Sequence, residues 1–109
     1  MKLQDLLKNI DVIEIKGEQD IDVTGVFTDS RKATPGSVFI ALKGVQVDGH
    51  LYIKNALELG AKVILHERKI DTSNEGITYI KVKDSADAAG KIATHWYGDP
   101  SNNLKLVGV

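Results

Sequence analysis

The sequence predicts a single α/β domain in which helices flank a mainly parallel or mixed sheet. The run Val38–Leu42 is apolar at every position, which is typical of a strand that is covered on both faces. Strand-like and helix-like segments then alternate, and the helical segments are long enough to cross between parallel strands. The length of 109 residues fits one domain with its own core.

The first third of the chain predicts one helix and three strands. Leucine and isoleucine recur at the i, i+3, i+4, i+7 spacing of an amphipathic helix over residues 2–10. Strands are predicted at Val12–Ile15, Val23–Thr28 and Val38–Leu42. Between the last two, Pro35-Gly36 has the residues of a type II turn, because proline presets φ and glycine accepts a positive φ.

The rest of the chain predicts two βαβ units, in each of which a helix crosses between two parallel strands. A helix over 50–59, stopped by Gly60, links Val38–Leu42 to a strand at 62–66. A strand at 77–82 precedes a helix over 85–97, which Asp84 or Ser85 can cap. The inner face of that helix is predicted to comprise Ala89, Ile92, Ala93 and Trp96. A last apolar strand is predicted at 104–109, and we expect both crossovers to be right-handed.

Composition excludes several classes of function. Fourteen basic and fifteen acidic residues give a net charge of −1, so we expect no nucleic-acid partner. Charges interrupt the N-terminal segment, which predicts neither a signal peptide nor a membrane span; we expect a cytoplasmic protein without membrane contact. The chain has no cysteine, its three histidines are scattered, and no P-loop or dinucleotide fingerprint occurs. We therefore expect no metal, no cofactor and no catalytic residue within these residues.

Two loops at the ends of the Val38–Leu42 segment are the candidate ligand contacts. Loops at strand ends commonly carry binding residues in α/β proteins. The residues alone leave a second interpretation open. Asp29-Ser30-Arg31 can be a turn with an Asx-type hydrogen bond and a surface ion pair. Gly44 and Gly49 can be turn glycines, and Asp48 can cap the following helix as readily as His50 can meet an anion.

Spaced motifs in this region resemble the N-terminal domain of the Mur ligases. They are D-S-R at 29–31, P-G-x-x-F-x-A-x-x-G at 35–44, D-G-H at 48–50 and a helix ending in G-A at 60–61. The ending YGDPSNNLKLVGV is similar to the segment that leads into the ATP-binding domain of these enzymes. The resemblance spans roughly residues 20–109, and several elements in the right order make it far more specific than one motif.

The resemblance implies a role in binding the UDP end of a substrate. Mur ligases add amino acids to UDP-N-acetylmuramoyl peptides, and the ending is most similar to the branch that adds the third residue. Uridine diphosphate contacts are then expected from Thr28, Ser30, Val45, Gln46 and Val47. Additional contacts are expected from Arg31, Asp48, Gly49 and His50. Polar donors and glycine-exposed N–H groups suit uracil and diphosphate.

The resemblance also implies that residues 1–109 are one domain of a longer ligase, cut just before its ATP-binding domain. The full-length enzyme is then expected to use ATP and Mg²⁺, and this chain alone to be inactive. Its expected partners are the UDP-N-acetylmuramoyl-dipeptide substrate and the missing central and C-terminal domains. Two alternatives stay open: a domain of the D-Ala-D-Ala-adding branch, and a free-standing α/β nucleotide-binding or interaction module. The third residue, lysine or meso-diaminopimelate, also stays open.

Overall fold

A computed structural model describes residues 2–42 and 52–98 as a five-stranded mixed sheet with helices on both faces. In chain order the elements are α1 (Leu3–Leu6), β1 (Val12–Lys16), β2 (Val26–Phe27), a 3₁₀ turn (Ser30–Lys32), β3 (Val38–Ile40), α2 (Ile53–Glu58), β4 (Val63–His66), β5 (Thr78–Val82) and α3 (Ser85–Gly98). The predicted fold class is therefore confirmed. The predicted strand at 104–109 lies outside the described residues.

The sheet has the strand order β1-β5-β4-β3-β2. Strands β2 to β5 run parallel, and β1 is antiparallel to β5 at one edge. Strand β3 lies between β2 and β4, so the prediction of an interior strand is confirmed. All three of its residues are buried, which is why the sequence there is apolar on both faces.

Two apolar layers cover the two faces of this sheet. One contains Leu3 and Leu6 of α1 and Ala88 and Ile92 of α3, packed on residues such as Ile80. The other contains Ile53 and Ala56 of α2 with Phe39, Ile64 and Tyr79 from the strands. Ala89 and Trp96 pack partly against the first layer as predicted, whereas the more deeply buried Ala88 was not predicted.

Several elements are shorter than the sequence predicts. The strand expected at Val38–Leu42 spans only Val38–Ile40. The helix expected over 2–10 spans only Leu3–Leu6, and Asn9 adopts a φ of 63°, a left-handed conformation that ends helices. The strand expected at Val23–Thr28 is only Val26–Phe27. The backbone N–H of Thr24 donates to the carbonyl of Gly36 at 3.2 Å, so this stretch pairs with a turn instead of extending the ladder.

Two glycines adopt positive φ at the predicted positions, one in the turn before β3 and one after α2. The N–H of Ser37 donates to the carbonyl of Thr34 at 3.1 Å, and Gly36 between them has a φ of 81°, as a type II turn requires. Gly60 follows α2 with a φ of 102°. A Cβ on Gly60 would lie 2.8 Å from Cα of Pro35, so this position also needs glycine to let the two loops approach.

Candidate functional site

Residues 28–31 lie at the edge of the sheet where β2 ends. Thr28 follows Phe27 directly and is exposed, and the 3₁₀ turn begins two residues later at Ser30. Because β2 and β3 are parallel neighbours, the residues that follow each strand lie at the same edge of the sheet, the one formed by the carboxyl ends of the parallel strands. Leu42, the last described residue after β3, is therefore at this edge beside Thr28 and its neighbours.

Ser30 is the buried residue of this turn. It is 6% exposed, its carbonyl accepts from the N–H of Ala33, and its hydroxyl makes no hydrogen bond to another described residue. A serine hydroxyl is both donor and acceptor, so it is suited to a ligand that presents carbonyl or N–H groups. The sequence predicts such a polar side-chain contact here, in addition to contacts from backbone N–H groups.

Asp29 holds the turn in shape. Its Oδ1 accepts from the backbone N–H of Arg31 at 3.0 Å and from Nε at 3.1 Å, and its Oδ2 accepts from Nη2 at 2.9 Å. These hydrogen bonds from Arg31 lower the pKa of Asp29 from 3.8 to about 2. The Asx-type turn and the ion pair that the residues alone allowed are thus both present. They stabilise the loop and leave the Ser30 hydroxyl unengaged.

Arg31 is the cation of this turn, and the turn lies against α2. Its side chain is 87% exposed, and the pKa of Arg31 is raised, chiefly by the hydrogen bonds to Asp29 and slightly by Tyr52. Tyr52 precedes α2, is 40% exposed, and was not predicted as part of the site. In the sequence Tyr52 falls inside the helix predicted over 50–59, so no local pattern pointed to it. The turn therefore presents a cation, the Ser30 hydroxyl and an aromatic ring near one another.

The second predicted loop lies outside the described residues. It contains Val45, Gln46, Val47, Asp48, Gly49 and His50, so their contacts with a ligand stay predictions. The structure describes the chain on either side, at Leu42 and at Tyr52.

The two other histidines make structural contacts. The ring Nδ1 of His66 lies 2.7 Å from the carbonyl of Arg68, and that of His95 lies 3.0 Å from the carbonyl of Leu6. A carbonyl only accepts, so each Nδ1 carries the proton. Within residues 2–42 and 52–98, no three histidine, aspartate or glutamate side chains are grouped as metal ligands. Over the same ranges, no helix has the length and apolar composition needed to span a bilayer.

Comparisons with known proteins identify the family. A profile described as "Mur ligase family, catalytic domain" matches residues 22–97. Two UDP-N-acetylmuramoyl-L-alanyl-D-glutamate–2,6-diaminopimelate ligases match the whole chain, that of Bacteroides fragilis at 51% identity and that of Phocaeicola vulgatus at 48%. The chain spans 22% of the length of each of these relatives.

Solved structures give the same relationship. The UDP-N-acetylmuramoylalanyl-D-glutamyl-2,6-diaminopimelate–D-alanyl-D-alanyl ligase of Acinetobacter baumannii aligns with 86% of this chain and 21% of its own, with a TM-score of 0.68 and 28% identity. The MurF ligase of Thermotoga maritima, solved in complex with ADP, aligns with 68% of this chain and 17% of its own, with a TM-score of 0.56 and 35% identity. The chain therefore belongs to the Mur ligase family, and it corresponds to the N-terminal domain of those enzymes.

Proposed function

We propose that this chain is the UDP-binding domain of a ligase that adds the third amino acid to UDP-N-acetylmuramoyl-L-alanyl-D-glutamate in peptidoglycan synthesis. The observation that carries the proposal is the parallel pairing of β2 with β3. It brings Thr28–Arg31 and Leu42 to one edge of the sheet, where ligands bind in open α/β sheets. The names of the relatives at 48–51% identity support the third-residue branch.

The proposed ligand contacts follow the polarity of the loop. Ser30 donates to or accepts from the uridine, and the backbone at Thr28 lies against the base. Val45, Gln46 and Val47 close on the same nucleotide, and the glycine-containing segment Asp48–His50 contributes N–H groups to the diphosphate. Arg31, already charged and held by Asp29, adds a cation near the phosphates.

The rest of the reaction is proposed for the domains that this chain lacks. ATP and Mg²⁺ belong there, where a substrate carboxylate is phosphorylated and an amine attacks the acyl phosphate. The chain alone is then inactive. The relatives' names favour diaminopimelate over lysine as the added residue. Because the nucleotide substrate and ATP are made in the cytoplasm, the whole enzyme acts there.

A titration of the ¹⁵N-labelled chain with UDP tests the binding proposal. We expect amide shifts at residues 28–31 and 44–50, with weak affinity because the muramoyl-peptide half finds no partner domain here. Ser30→Ala removes one neutral hydrogen bond, which is worth about 0.5–1.5 kcal/mol, so affinity should fall roughly threefold to tenfold.

Ser73→Ala is the matched control, because Ser73 is an exposed serine in the loop before β5. It should bind UDP as the parent chain does. The proposal fails if no shifts occur at millimolar UDP, or if the shifts gather around His95 and Trp96 instead.

A further inference from the structure

A cavity lies on the β1–β5 side of the sheet, whereas the proposed UDP site lies on the β2–β3 side. It has a volume of about 260 Å³ and opens on the face of the sheet that also carries α2. Its walls come from the antiparallel pair β1 and β5, from the end of β4 and from Lys69, Ile70 and Thr72 in the loop that follows β4. The register places Lys16 opposite Tyr79 and Glu14 opposite Lys81, so all four side chains point to this face.

The walls of this cavity are cationic. Lys16, Lys69 and Lys81 contribute three ammonium groups, against the single carboxylate of Glu14. The Nζ of Lys16 donates to Oγ1 of Thr72 at 3.0 Å. The pKa of Asp71 is lowered, mainly by hydrogen bonds from Ser73 and to a smaller extent by the charge of Lys16. The chain as a whole has a net charge of −1, so this local excess of positive charge is not a general property of its surface.

Tyr79 supplies the second, independent observation. It lines the cavity and is only 2% exposed, and its hydroxyl is buried without a hydrogen-bond partner among the described residues. Leaving such a donor buried and unsatisfied is unfavourable, so native structures rarely retain one without a reason. A ligand that accepts a hydrogen bond from the phenol removes this cost.

We propose that this cavity binds a phosphate group carried by a small molecule, with the Tyr79 hydroxyl donating to one oxygen and Lys16, Lys69 and Lys81 neutralising the charge. Lysine binds phosphate as a point charge, whereas carboxylates are matched best by the planar fork of arginine. No arginine lines the cavity, so its chemistry favours phosphate over carboxylate. The site does not rest on the proposed UDP function, because it uses β1, β5 and the end of β4 instead of β2 and β3.

Titration with inorganic pyrophosphate, followed by amide shifts, tests this site. We expect shifts at residues 14–16, 66–70 and 79–81, and citrate should bind more weakly. Tyr79→Phe removes only the hydroxyl, which has no described partner to lose, so the fold should persist. Its affinity for pyrophosphate should fall by about tenfold or more, because a hydrogen bond to a phosphate oxygen is charge-assisted. Tyr97→Phe, at an exposed tyrosine on α3, is the matched control and should bind as the parent chain does.

Charge variants give effects of opposite sign. Lys81→Gln should weaken pyrophosphate binding about tenfold, because a charge-assisted contact is lost. Glu14→Gln should strengthen it roughly twofold to fivefold, because a repelling carboxylate is removed. Lys62→Gln changes the net charge equally at an exposed lysine outside the cavity and should leave binding unchanged.

The site would be overturned by an unchanged affinity in Tyr79→Phe, by an equal loss in Lys62→Gln and Lys81→Gln, or by tighter binding of citrate than of pyrophosphate. Shifts confined to residues 28–31 and 44–50 would also overturn it while supporting the UDP proposal. If the shifts with pyrophosphate are confined to the cavity and residues 28–31 do not respond to UDP, the cavity proposal is supported and the UDP proposal fails.

Discussion

The Asp29 carboxylate organises the turn at the proposed UDP site through both backbone and side chain of Arg31. It accepts one hydrogen bond from the backbone N–H and two from the guanidinium. Each bond favours the charged carboxylate, which is why the pKa of Asp29 falls to about 2. Because the pKa is lower in the folded chain, the contribution to stability is complete above pH 3.8 and disappears as the pH falls through about 2.

Arg31→Gln is expected to raise the pKa of Asp29 towards 3.8, since the side-chain hydrogen bonds are its largest cause. It should stay below 3.8, because the backbone N–H of residue 31 still donates. A carboxyl ¹³C NMR titration that extends well below the lower pKa and well above the higher one measures both values.

Asp71 is the internal control for that titration. Its pKa is also lowered, but by hydrogen bonds from Ser73. It should therefore not respond to Arg31→Gln. An Asp29 pKa that stays near 2 in the variant would mean that Arg31 is not its cause.

At the scale of elements, the end of α2 shows how one glycine allows two loops to meet. Gly60 has a φ of 102°, and its N–H donates to the carbonyl of Leu57. The N–H of Gly36 donates to the carbonyl of Gly60 at 3.0 Å, so the turn before β3 and the end of α2 are hydrogen-bonded together. Pro35 packs so closely here that no Cβ fits.

Gly60→Ala is expected to lower the free energy of unfolding by about 1–3 kcal/mol, because both the positive φ and the contact with Pro35 oppose a Cβ. Gly90→Ala should have the opposite effect. Gly90 lies inside α3 with no atom within 4 Å of a Cβ, so alanine should stabilise the helix by about 0.5–1 kcal/mol. Urea denaturation compares the two variants, and equal effects would contradict this account of Gly60.

At the scale of the whole molecule, the sheet has a protected centre and two unlike edges. Strands β3, β4 and β5 each have neighbours on both sides, whereas β1 and the two-residue β2 form the edges. Cooperative stability is therefore expected to be highest where both apolar layers meet the central strands.

Hydrogen exchange is expected to be slowest in β3, β4 and β5, because their amides are bonded and covered on both faces. The exposed loop at 71–76 should exchange fastest among the described loops. If residues 38–40 exchange as fast as residues 71–76, β3 is not an interior strand in solution.

The sequence predicts those parts of the fold that local chemistry decides. Apolar runs locate β3, β4 and β5, Pro35-Gly36 predicts its turn, and Gly60 predicts the end of α2. Asp84 was one of two predicted caps for α3, and its Oδ1 accepts from the N–H groups of Ala86 and Asp87. At the proposed UDP site, the D-S-R motif indicated Ser30 and the Asp29–Arg31 pair. It did not indicate Tyr52, because the position of Tyr52 near Arg31 depends on how α2 packs against the turn.

Long-range pairing decided the rest, because it depends on partners that no local pattern specifies. Alternation alone places Ile13 and Ile15 on one face of β1, yet an irregularity in the pairing with β5 leaves Ile13 61% exposed and turns Val12 towards the core. The antiparallel direction of β1 follows from the same pairing. That pairing also brings Lys16 beside Tyr79 and Glu14 beside Lys81, although about sixty residues separate the two strands in sequence. Sequence periodicity thus determined which residues are apolar and where elements end, while the tertiary structure decided which side chains surround the cationic cavity, because only folding sets the register between distant strands.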